Sequence, residues 1–130
     1  MKKLIIYVLL LFVSFSYAQK RELRNANKFY TSGEYSSALD LLDSSKSLFD
    51  SSDDKIKSQV MLLYGKIHTS MEDFILAIKA FDMSRNMGIS NQILSPELSK
   101  LETAIITSAV GDNKTENFRS EEHTSELQSP

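Results

Sequence analysis

Gly33-Glu34-Tyr35-Ser36-Ser37-Ala38-Leu39 and Glu72-Asp73-Phe74-Ile75-Leu76-Ala77-Ile78 repeat one another. Each places an acid, an aromatic, a two-residue gap, an alanine and an aliphatic in the same order, 39 residues apart. Self-similarity at a period of this size is the mark of stacked repeat units, none of which can bury its apolar face alone. The pair therefore predicts an all-α chain of helical hairpins that offers a surface for binding.

Working outward, apolar residues recur at helical spacing and strand-like alternation is nearly absent. The first helix is expected over about 20–32, with Leu23, Ala26, Phe29 and Tyr30 on one side and Gly33 ending it. A second runs over about 35–49, where Tyr35, Ala38, Leu39, Leu42 and Phe49 share a stripe. The polar run Asp50 to Asp54 breaks it and supplies a cap. Ile56, Val60, Leu63, Tyr64 and Ile67 mark a third helix, over about 55–69. After a short turn comes a fourth, with Phe74, Ala77, Ile78 and Phe81, closing near Gly88. Ser95 as N-cap, with Pro96 and Glu97 behind it, begins a fifth that stops at Gly111.

The two ends read differently from the middle. Lys2 and Lys3 precede an apolar run from Leu4 to Phe15, and small residues stand at Ser16 and Ala18. That order is the pattern of an export signal, residues 1–18, cleaved after Ala18 to leave a periplasmic or secreted protein. About a dozen apolar residues fall short of a hydrocarbon layer of about 30 Å, so an uncleaved membrane anchor is the lesser reading. At the other end, residues 119–130 have no apolar period and resemble the translation of a sequencing-library adapter. They are expected to be a non-native, disordered tail, and the natural chain is expected to continue past Phe118. The helical domain is thus residues 19–118, incomplete at its C-terminal end.

Between these ends the pattern resembles the tetratricopeptide repeat, a helix-turn-helix unit of about 34 residues. Repeat one matches through Ala26, Phe29, Gly33, Tyr35 and Ala38, and repeat two through Gly65, Phe74, Ala77 and Phe81. Several positions depart: in repeat one Leu42 replaces the usual later aromatic, and Ser45 and Asp50 stand in place of the small residue and proline near its end, while in repeat two Glu72 stands where glycine is common and His68 where an aromatic is common. The 39-residue spacing leaves about five residues to absorb, most simply between Asp50 and Asp54. The resemblance implies a right-handed solenoid of about two repeats and part of a third, with small residues at each helix crossing. It also implies a groove lined by the first helix of each pair, near Lys20, Arg24, Asn27, Thr31, Lys66 and Ser70. That mixture of cations and hydrogen-bond donors suits an acidic or carboxylate-bearing protein segment. The family's lysine-based carboxylate clamp is not matched, because Leu23 and Leu62 stand at its lysine positions.

Chemistry is harder to find. A formal net charge of −2 gives no general attraction to nucleic acid or to an anionic membrane. With Cys 0 there is neither a disulfide nor a thiolate. His68 is the only histidine outside the tail and reads as a packing residue. Asp50, Asp53 and Asp54 lack the glycine and the closing glutamate of a calcium loop. The glycines at 33, 65, 88 and 111 are isolated, and no serine sits in a Gly-x-Ser-x-Gly turn. The expectation is a non-enzymatic interaction scaffold of the bacterial envelope, without cofactor or metal, binding an unidentified protein or peptide. The other reading is a sensor or docking segment of a larger envelope protein whose activity lies downstream.

Overall fold

A computed structural model describes the backbone of residues 2–128 and the side chains of residues 2–111. Six helices follow one another: α1 Lys2–Thr31, α2 Tyr35–Ser44, α3 Lys46–Asp50, α4 Asp54–Ser70, α5 Phe74–Asn86 and α6 Asn91–Gln128. Every regular element among the described residues is a helix. Helices α1 and α2 form one hairpin and α4 and α5 a second, while α4 also packs on α1 and α2, and α6 on α4 and α5. Among the described residues, α1 and α2 touch neither α5 nor α6. Contacts are therefore local in sequence, each unit meeting only its neighbour.

Three helix ends are built alike. At the end of α1 the Glu34 N–H donates to Phe29 O at 2.9 Å and the Gly33 N–H to Tyr30 O at 3.0 Å. Asp73 and Glu72 make the same pair with His68 O and Thr69 O after α4, and Ile89 and Gly88 with Ser84 O and Arg85 O after α5. This is the Schellman closure, which needs a left-handed residue at its turn. Gly33 (φ 79°) and Gly88 (φ 104°) supply it without strain, whereas Glu72 adopts φ 62° with a side chain. The two positions 39 residues apart, Gly33 and Glu72, thus share one backbone geometry.

Helix α4 divides the interior. One face carries Ile56, Val60, Leu63 and Ile67 against Leu23, Ala26, Ala38, Leu42 and Phe49. The other side meets a second cluster, in which Ala77, Phe81, Leu94 and Leu101 are buried. The α4–α5 crossing is close because its residues are small. A Cβ built on Gly65 would lie 2.5 Å from the Phe81 ring, and the Ser84 hydroxyl donates to Ser58 O at 2.7 Å across the interface. Ala26, Ala38 and Ala77 are fully buried, as is Phe81.

Several boundaries depart from the sequence reading. The expected second helix breaks at Ser45 into α2 and α3. The Ser44 hydroxyl donates to Leu41 O, the kind of local bond that competes with helix propagation, and the bend turns Phe49 inward. Ser95 is not a cap: α6 starts at Asn91, with Ser90 O accepting from the Ile93 and Leu94 N–H groups, and Pro96 lies inside the helix. Burial of Leu94 accounts for the earlier start, offsetting the cost of an internal proline. Helix α6 also runs through Gly111, since one glycine costs a helix only about 1 kcal/mol relative to alanine. The side chains of 112–130, among them Phe118 and the adapter-like tail, lie outside the described residues.

The N-terminal apolar run is continuous with the first helix of the fold, so α1 is 30 residues long. The run alone is short for a bilayer, but joined to the residues behind it the helix is long and apolar enough to cross one by length and composition. Leu4 to Val13 are all exposed, with Leu4 at 72% and Phe12 at 70%. An apolar helix placed this way at the N-terminus is compatible with a signal segment.

Candidate functional site

The first helices of the two hairpins lie side by side and run the same way. Residues 16–27 of α1, with the Asp53 cap and residues 55–59 of α4, line one depression of about 540 Å³, while farther along Lys66 Nζ of α4 sits 4.9 Å from the Tyr30 ring of α1. The local sequence sets this register. Asp53 caps α4, its carboxylate accepting the Ile56 N–H at 2.9 Å, so that Lys55 and Gln59 fall on the face turned to α1.

Of the six residues expected to line a groove, three gather in this depression: Lys20, Arg24 and Asn27. Lys20 and Arg24 are exposed, and Asn27 is half-buried, its amide donating to Leu23 O at 3.2 Å. Lys55 and Gln59 join them, and Asp53 is the one acid on the wall. The sequence reading missed Lys55 and Gln59, although their spacing of four places both on one helix face. Three cations against one carboxylate, itself occupied as a cap, leave the depression electropositive.

The other three residues do not join it. Lys66 is half-buried and held over Tyr30, a cation–π contact. Thr31 is exposed at the end of α1, its hydroxyl donating to Lys28 O. Ser70 lines a separate depression between α4 and α6, with Lys100, Thr103 and Thr107. Four of the six residues thus line two separate depressions, and Thr31 and Lys66 line neither.

On the opposite side, α2 and α3 stand apart from α5 over the floor of α4, leaving a cleft of about 360 Å³. Tyr64 and His68 lie on that floor, stacked with centroids 6.1 Å apart and ring planes 13° apart. The Tyr64 hydroxyl donates to Asp43 Oδ1 at 2.7 Å. Burial, then that bond and the charges of Asp43 and Asp50, hold the phenol well above its ordinary range, so it remains a proton donor. His68 Nδ1 is buried without a hydrogen-bond partner, 3.7 Å from Asp73 Oδ2. Among the described residues, no group of three His, Cys, Asp or Glu is placed to hold a metal ion.

No known family model, curated protein or solved structure matches the chain.

Proposed function

We propose that the chain is an exported, tetratricopeptide-like interaction module that holds an acidic, extended segment of another protein between α1 and α4, without catalysing a reaction. The observation that carries the reading is the gathering of Lys20, Arg24, Asn27, Lys55 and Gln59 along one depression between two co-directional helices. Charge-assisted hydrogen bonds from such a set match carboxylates on an extended backbone. Matching turn closures at Gly33 and Glu72, small residues at the helix crossings and contacts confined to sequence neighbours support the repeat assignment. Export is supported by the exposed apolar segment that precedes Ser16 and Ala18.

The test is binding of fluorescent acidic peptides, read by anisotropy, to the wild-type chain and to an Arg24→Glu, Lys55→Glu variant. The double variant is expected to lose about tenfold or more in affinity, equivalent to about 1.4 kcal/mol, and wild-type binding is expected to weaken as salt rises. Equal affinities for the two proteins would remove the depression from consideration.

A further inference from the structure

We infer that Gln19 is a modification site: once residues 1–18 are removed, its α-amine closes onto its own side-chain amide to give a pyroglutamyl N-terminus. The inference rests on the export reading above. Cleavage after Ala18 makes Gln19 the first residue, and glutamine is the residue whose amide carbonyl lies within reach of a five-membered ring closure by its own amine. In that step the α-nitrogen forms a bond to Cδ and the Cδ–Nε2 bond breaks. Nε2 leaves as ammonia with a proton from the amine, so no oxidant, reductant or second substrate is required.

The surroundings favour the neutral ring over a free ammonium. Gln19 lies inside a helix in the intact chain and becomes its first residue after cleavage. The N-terminus of a helix carries unpaired N–H groups and a partial positive charge, so a cation there is repelled. Lys20, Arg21 and Arg24 follow within two turns, and Lys55 shares the depression that Gln19 lines. Of the carboxylates close by, Glu22 accepts from Arg21 Nε at 3.2 Å, and Asp53 caps α4. Gln19 is also only 6% exposed, with Nε2 donating to Leu48 O at 3.1 Å. Closure gives up that neutral bond, and in return it removes a cation from among these positive groups.

Intact-mass measurement of the full chain, expressed with its N-terminal segment in an exporting bacterial host, tests this. The expected species is the 19–130 chain lighter by one ammonia, blocked to Edman degradation and opened by pyroglutamyl aminopeptidase. A Gln19→Ala chain should carry a free amine, open to Edman degradation without the aminopeptidase. A 19–130 chain that keeps its full mass and a free Gln19 amine after prolonged incubation at neutral pH overturns the inference and leaves export standing. The mass of the uncleaved 130-residue chain overturns the export reading and the inference with it.

Discussion

Glu72 holds a left-handed conformation that the chain elsewhere gives to glycine. A side chain there costs about 1–2 kcal/mol, part of which glycine returns as lost unfolded-state restraint. Glu72→Gly is therefore expected to stabilise the protein by about 0.5–1 kcal/mol, measured as a Tm rise of a few degrees, while Gly33→Ala lowers Tm. Tyr64 sets an alkaline limit. Its folded pKa is raised, so the unfolded chain loses the phenolic proton first, from about pH 10 upward. Above that pH the unfolded state binds fewer protons and stability falls as pH rises. Tyr64→Phe should flatten this part of a Tm-against-pH curve; an unchanged slope would mean that folding does not raise the Tyr64 pKa. The repeat of acid, aromatic and alanine made Ala38 and Ala77 legible as buried residues. The Tyr64–Asp43 bond was not legible, because it joins positions 21 apart on different helices.

Among the elements, the α4–α5 hairpin depends on one missing methyl group. Phe81 fills the space over Gly65, and Phe81→Ala is expected to cost about 3–5 kcal/mol by denaturant melting. Tyr30→Ala should cost much less, since Tyr30 is only half-buried. Gly65→Ala, by overpacking, should cost about 1–3 kcal/mol, and combining it with Phe81→Leu should give less than the sum. Strict additivity would show that the two residues do not meet. Helix existence was readable from apolar period, but helix limits were not. The break at Ser45 and the start at Asn91 follow from where Phe49 and Leu94 are buried, which depends on partners distant in sequence. For the same reason the α1–α4 depression was read only in part: Lys55 and Gln59 owe their place to the register between two helices.

For the whole molecule, α4 is shared by two clusters that do not otherwise meet. Amide hydrogen exchange is expected to be slowest in α4, to open α1–α3 and α6 in separate steps, and to be fastest over residues 2–18. A single rate for all helices would indicate one undivided core. Charge reversal at Arg24 and Lys55 belongs to this scale too, because it alters a surface assembled from both hairpins and leaves both clusters intact.

The connections are unequal in slack. Those after α1, α4 and α5 are each fastened by paired backbone bonds that allow no added residue, whereas the stretch from Ser45 to Asp53 already accommodates a helical turn of its own. A foreign epitope or a labelling tag spliced beside Ser51 would lengthen a link that is already long, at a small entropic cost. The same splice at Gly33 or Gly88 would pull a hairpin apart, so natural length variation among sequences of this kind should collect at the first place and avoid the other two.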